Sequence, residues 1–274
     1  MTRIGRRFEK LKQCDERGLV AYLTAGDPSL DRTPALVDAL ERGGADVVEL
    51  GVPFSDPIAD GPVIQRASER ALRAGTSLDG VLEVVRRIRQ RSQVPLVIFS
   101  YLNPVLRYGF SRFASDAAAA GVDGALLTDL SVEEADPFVS EMRGRQLDTI
   151  FLAAPTSTDR RLELVARYST GFVYLVSRTG VTGERESLSD LAAPLVARTR
   201  AVTGLPLAVG FGLSRPEHLA ELAPLAEAAV VGSAFMRLIE EHQDSPDLES
   251  KLRDYTAQLK AGFRGSHGPV GLAR

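Results

Sequence analysis

Residues 47–65, VVELGVPFSDPIADGPVIQ, hold one complete structural unit: a strand, a loop and the start of a helix. Val47, Val48, Glu49, Leu50 and Gly51 form an apolar run of strand length interrupted by one carboxylate. Side chains alternate along a strand, so Val47, Glu49 and Gly51 share one face while Val48, Leu50 and Val52 share the other. A carboxylate inside a buried parallel strand costs on the order of several kcal/mol in desolvation unless it is partnered or has a chemical task. Pro53, Pro57 and Pro62 then stiffen a loop that presents Asp56 and Asp60.

Outward from this unit the pattern repeats. Apolar runs at 19–23, 47–51, 96–101, 124–128, 149–153, 172–176, 207–209 and 228–231 predict strands. Helical stretches at about 30–42, 62–74, 78–91, 111–120, 132–145, 158–168, 188–203 and 215–223 lie between them, with two more at about 233–242 and 247–262. Strands that each feed a helix predict an α/β fold, a single-domain (β/α)8 TIM barrel over residues 1–264, with its chemistry on the loops after the strand C-terminal ends. A doubly wound open sheet is the alternative, but no G-x-G-x-x-G follows the first strand. Ile4, Phe8 and Leu11 at helical spacing predict an extra N-terminal helix covering an open end of the core, and the helix at 233–242 is a short extra one after strand eight. Residues 265–274 are expected to form a disordered tail.

Composition removes several kinds of chemistry. The 274 residues carry a net charge of −3 and no dense basic stretch, which argues against nucleic acid as a main partner. The run of arginines from Arg86 to Arg91 reads as the solvated end of a helix, where cations suit the dipole. No apolar run reaches membrane-spanning length and residues 1–13 lack an apolar signal core, so a cytoplasmic location and no membrane partner are expected. The single cysteine, Cys14, allows neither a disulfide framework nor a cysteine-rich metal site. Lys10, Lys12, Lys251 and Lys260 are the only lysines and all lie outside the predicted catalytic loops, which leaves no Schiff-base nucleophile. His218 and His242 fall in helices and His267 in the tail, so no metal site and no histidine base are expected. Carboxylates and tyrosines must then carry any proton transfer.

Two constellations remain. The first is Glu49 with Asp60: burial would raise the Glu49 pKa and let it shuttle a proton near neutrality, while Asp60 on the more solvated loop would stay ionised. The bland alternative makes Glu49 a structural acid paired with an arginine and Asp60 a turn residue. The second is an anion cradle at Gly210-Phe211-Gly212-Leu213-Ser214 and Gly232-Ser233-Ala234, where free backbone N–H groups meet the start of a helix. Glycines after strands are also ordinary turn punctuation. Tyr22, Phe99, Tyr101, Leu126, Leu152, Tyr174 and Phe211 could complete a pocket for a flat apolar group, although aromatics at such positions are commonly core. The long loop 177–184, with Gly180 and Gly183 as hinges, reads as a lid or as an ordinary surface loop.

The stretch from Glu49 to Pro57, with Ala59-Asp60-Gly61-Pro62 and Ile64-Gln65 after it, resembles the signature of the tryptophan synthase alpha subunit family. Ser177-Arg178, Gly180-Val181-Thr182-Gly183 and the two glycine turns also match, and the likeness covers about residues 4–262. The resemblance implies a (β/α)8 barrel that cleaves indole-3-glycerol phosphate by a retro-aldol step to indole and glyceraldehyde 3-phosphate. It implies Glu49 as general acid and base, Asp60 as acceptor of the indole N–H, and Tyr174 as a hydrogen-bond partner near Glu49. Tyr22, Phe99 and Leu126 would bind the ring. Gly183, Phe211, Gly212, Gly232 and Ser233 would line the phosphate end, and Thr182 would close onto Asp60. It further implies no cofactor in this chain and a beta-subunit partner that carries pyridoxal phosphate in an alpha2beta2 complex, with the loops around Asp56 and Asn103-Pro104 near the contact. Tyr22 stands where phenylalanine is expected, adding a hydroxyl that needs a partner, and Ser131 stands where proline is common. A free-standing lyase of the same fold and a catalytically silent regulatory subunit are the competing readings.

Overall fold

In the computed structural model, which describes residues 1–176, 188–210 and 212–263, eight parallel strands pair in chain order and close on themselves. They are β1 (Gly18–Thr24), β2 (Val47–Gly51), β3 (Leu96–Ser100), β4 (Gly124–Leu127), β5 (Asp148–Ala153), β6 (Val173–Val176), β7 (Leu207–Gly210) and β8 (Ala228–Val231). Around them run α1 (Arg3–Gln13), α2 (Thr33–Arg42), α3 (Pro62–Arg73), α4 (Leu78–Arg89), α5 (Leu102–Tyr108), α6 (Phe110–Ala120), α7 (Asp136–Gly144), α8 (Asp159–Tyr168), α9 (Leu188–Arg200), α10 (Pro216–Leu222), α11 (Ser233–His242) and α12 (Leu248–Gly262). The ladder closes where β1 pairs with β8, Gly18 opposite Ala228. Closure excludes the open doubly wound sheet, because every strand edge is satisfied by a neighbour.

Strand alternation sorts the core into two layers. Val48, Leu50, Leu96 and Ile98 face outward into the cluster shared with the helices. Val20, Val47, Val97, Leu126, Ile150 and Phe172 face inward and pack with Ile4, Phe8 and Leu11 of α1. Phe8 meets Phe172 at 5.8 Å between ring centroids. Burying each of these large side chains is worth roughly 1.5–3 kcal/mol. Arg7 reaches Asp46, just before β2, at 2.6 Å, and Arg3 reaches Asp123, just before β4, at 2.9 Å. The helix therefore seals the N-terminal end of the barrel and leaves the opposite end for chemistry.

Two local expectations change. The residues after β3, expected to be loop, form α5, because Pro104 sits in its first turn, where a missing N–H costs no helical hydrogen bond. The helix expected over 132–145 divides into a short turn of 3-10 helix at Val132–Glu134 and then α7, because Pro137 has no N–H to continue the ladder. The Ser131 hydroxyl, in the position where proline is common, donates to the Glu133 carboxylate. The expected lid at 177–184, with Thr182 and Gly183, lies outside the described residues, as do Phe211 and the tail 265–274.

Candidate active site

Glu49 is completely buried on the inward face of β2, opposite Tyr22 of β1 and Val97 of β3. It differs from the other buried acids. Asp27 is held by Arg70 at 2.8 Å, Asp46 by Arg7 and Lys260 at 2.6 Å, and Asp123 by Arg3 and Arg89 at 2.9 and 2.6 Å. Asp148 accepts from the Thr170 hydroxyl at 2.9 Å. Glu49 has no hydrogen-bond partner at either carboxyl oxygen, and the reading of it as an arginine-paired structural acid does not hold. Loss of hydration pushes its carboxyl up to about 8, so the buried group carries a proton near neutral pH.

The cavity above Glu49 has a volume of about 190 Å³ and is lined on one side by Tyr22, Phe99 and Tyr174 and on the other by Gly210, Gly212, Leu213, Ser214, Gly232, Ser233 and Ala234. Ile64, Val230 and Arg237 complete it. Tyr22 meets Phe99 edge to face at 5.1 Å. Its extra hydroxyl finds a partner in Thr24 Oγ1 at 3.2 Å. Glycine is required beneath both tyrosines, since a Cβ on Gly51 would lie 2.2 Å from the Tyr22 hydroxyl and one on Gly210 would lie 2.7 Å from that of Tyr174. Burial first, and then the nearby carboxylates Glu49 and Asp60, drives the pKa of both tyrosines well above the ordinary phenol value, so they remain neutral donors.

Two of the expected site residues stand apart from the others. Tyr174 faces the same cavity as Glu49 but makes no hydrogen bond to it, since both Glu49 oxygens are without a partner. Leu126 points inward, yet it is fully buried in the interior core and does not line the cavity.

Asp60 is half-buried on the loop between β2 and α3; it does not line the cavity, but its charge reaches the cavity residues Tyr22 and Tyr174. The Ala59 N–H donates to the Tyr101 hydroxyl at 3.0 Å, and Gln65 Nε2 donates to the Asp60 carbonyl at 2.8 Å, so the loop is tied on both sides of the acid. Burial raises the Asp60 carboxyl to about 6, opposed by a hydrogen bond from Tyr101. The loop around it is largely exposed, as its sequence suggests; only the Asp60 carboxyl is partly desolvated, and at about 6 most of it is ionised near pH 7. Burial thus favours the protonated form of Glu49 near neutral pH and leaves Asp60 mostly ionised, a difference in environment that suits a division of acid and base duties.

The cradle forms at the other end. Gly212 adopts a left-handed φ of +68°, and Gly232 precedes Ser233 at the start of α11, which has neither a side-chain cap nor an acidic residue in its first turn. Its first N–H groups and the positive end of its dipole face the cavity. The sequence reading missed Val230 and Arg237. The signal for Arg237 was its spacing, four residues beyond Ser233 on the same helical face.

A buried carboxyl that holds a proton, in one cavity with an anion cradle at the C-terminal face of a (β/α)8 barrel, suits an enzyme of acid–base chemistry on an organic phosphate. Residues 8–264 match the family model described as tryptophan synthase alpha chain, and this chain belongs to that family. The tryptophan synthase alpha chain of Solibacter usitatus is 68% identical over 263 residues, covering 96% of this chain and 98% of that protein. The alpha chain of Geotalea uraniireducens is 48% identical, covering 98% of this chain and 100% of that protein. The crystal structure of tryptophan synthase subunit alpha from Legionella pneumophila superposes with a TM-score of 0.90 at 36% identity, covering 97% of this chain and 99% of that one. As an alpha chain it is a carbon–carbon lyase of tryptophan biosynthesis that cleaves indole-3-glycerol phosphate to indole and glyceraldehyde 3-phosphate. Its partner is the beta subunit, to which the pyridoxal phosphate belongs.

Proposed function

We propose that Glu49 is the proton-transfer group of this cleavage and Asp60 the group that holds the indole nitrogen. The complete burial of an acid with both oxygens unpartnered, facing the cavity, is the observation that carries the reading. Breaking the bond between indole C3 and the glycerol chain needs an electron sink, which protonation of C3 provides. Glu49, protonated at neutral pH, supplies that proton, and the resulting carboxylate helps to remove the glycerol hydroxyl proton as the bond breaks. Asp60 accepts the indole N–H and stabilises positive charge developing on the ring. Tyr22 and Phe99 flank the ring, Tyr174 stands beside it, and the glycine turns with Ser233 receive the phosphate. Thr182, Gly183 and Phe211 belong to the substrate-binding residues in this reading.

Ser233→Asp should raise KM for indole-3-glycerol phosphate at least about tenfold, because a carboxylate at the helix start repels phosphate. An unchanged KM would remove the cradle from the mechanism.

The beta subunit fits the outer side of the catalytic loop. Ile58 is 85% exposed and Leu106, on α5, is 56% exposed, and Phe54, Asp56, Pro57 and Leu72 border an adjoining cleft of about 640 Å³. Ile58, on the Asp60 loop itself, gives the partner a direct hold on a catalytic segment. Turnover of the isolated chain is expected to be low and to rise when the beta subunit is added. High turnover alone would support a free-standing lyase, and none under either condition a silent subunit. A cytoplasmic location suits the exposed free thiol of Cys14, and no helix among the described residues is long and apolar enough to cross a membrane.

A further inference from the structure

We propose that Arg237 is a substrate-binding residue whose guanidinium takes the phosphate from the open side of the cradle, an inference that rests on the phosphate end lying at Ser233. Among the described residues that line the cavity, Arg237 is the single cation. Ser233 is the first residue of α11, so Arg237 lies one turn along on the same face. Helical side chains lean toward the N-terminus of their helix, which carries the guanidinium back over the first-turn N–H groups rather than away from them.

The charge of Arg237 is not spent elsewhere. Its partner three residues on would be Glu240, but Arg66 holds that carboxylate at 2.7 Å and Arg70 at 2.8 Å, and their hydrogen bonds keep its pKa down at about 2. Glu241, four residues on, stands in the weaker Arg-before-Glu order and lies toward the C-terminal end, away from the direction in which Arg237 leans. Arg237 makes no ion pair with any described residue, whereas Arg66 and Arg70 on α3 are fully engaged. The first turn of α11 has no acid, so its free N–H groups and the Arg237 charge both stand without a protein anion among the described residues. An arriving dianion neutralises both. The same cavity ends on the unpartnered buried acid Glu49, so the anion and the proton donor engage opposite ends of one ligand.

The test uses the chain assembled with its beta subunit and compares Arg237→Ala, Arg237→Lys and Ser233→Asp. Arg237→Ala is expected to raise KM for indole-3-glycerol phosphate and the Kd of glycerol 3-phosphate together, each by about tenfold, the scale of one charge-assisted contact. Arg237→Lys should recover part of that loss, since lysine keeps the charge without the planar fork. Binding of 3-indolepropanol, which has the ring but no phosphate, should not follow the same trend. The Kd of glycerol 3-phosphate should also lose part of its salt dependence in Arg237→Ala. An unchanged Kd for glycerol 3-phosphate in Arg237→Ala, with a weakened one in Ser233→Asp, overturns the role of Arg237 and leaves the cradle standing. An unchanged Kd in both overturns the cradle as well.

Discussion

Replacing Glu49 by glutamine is expected to lower cleavage at least about 100-fold, the usual scale for loss of a positioned proton-transfer group. Glutamine keeps the shape of the side chain but cannot deliver or recover a proton. A near-normal rate in Glu49→Gln would falsify the mechanism. The same substitution has a second, independent readout in stability. Burial raises the Glu49 carboxyl from its ordinary 4.5 to about 8. Between those values the folded chain holds a proton that the unfolded chain has released. Stability therefore falls as pH rises through this window and levels off above about 8, where both states are ionised. A fully buried group shifted this far accounts for on the order of several kcal/mol across the window. Glu49→Gln removes that contribution, so urea denaturation between about pH 5 and about pH 8 should show a shallower decline than in the unmodified chain. Equal slopes would mean that Glu49 is not the buried titrating group.

The alternation Val47, Glu49, Gly51 made the inward face of β2 legible before any coordinates, and the spacing of Ile4, Phe8 and Leu11 made the sealing helix legible, because each depends only on local period. What period cannot give is height along the barrel axis. Leu126 points inward as alternation requires, but the stagger between strands decides whether an inward residue meets the substrate or the core, and that is set by closure of the whole barrel. Arg237 was hidden for a similar reason. A lone arginine on an amphipathic helix reads as solvated surface until the ion pairs of Arg66 and Arg70 show which nearby carboxylate is already taken. The α5 helix escaped because Pro104 reads as a loop marker, whereas in a first turn it costs nothing. The buried Glu49 was legible as an anomaly, and only the full set of neighbours showed that it is the one buried acid, among the described residues, left without a partner at both oxygens.

Asp60→Asn is expected to cost at least about 100-fold as well, through a different step. Asparagine fits the loop and can still accept a hydrogen bond from Tyr101, but it brings no negative charge to the indolium-like ring formed when C3 is protonated. The pH profile separates the two acids. Productive free enzyme needs Asp60 ionised and Glu49 protonated, and their carboxyls stand at about 6 and about 8. The ratio kcat/KM should therefore rise with pH through the first value and fall through the second, giving a bell whose limbs belong to the interacting pair. In Asp60→Asn the acidic limb should disappear while the alkaline limb remains; in Glu49→Gln the residual activity should lose the alkaline limb. An acidic limb that persists unchanged in Asp60→Asn would assign it to another group and leave Asp60 as a loop residue. The Ala59-to-Tyr101 and Gln65-to-Asp60 backbone ties use no Asp60 carboxyl oxygen, so the substitution leaves them in place and the lost rate reports on charge rather than on collapse of the loop.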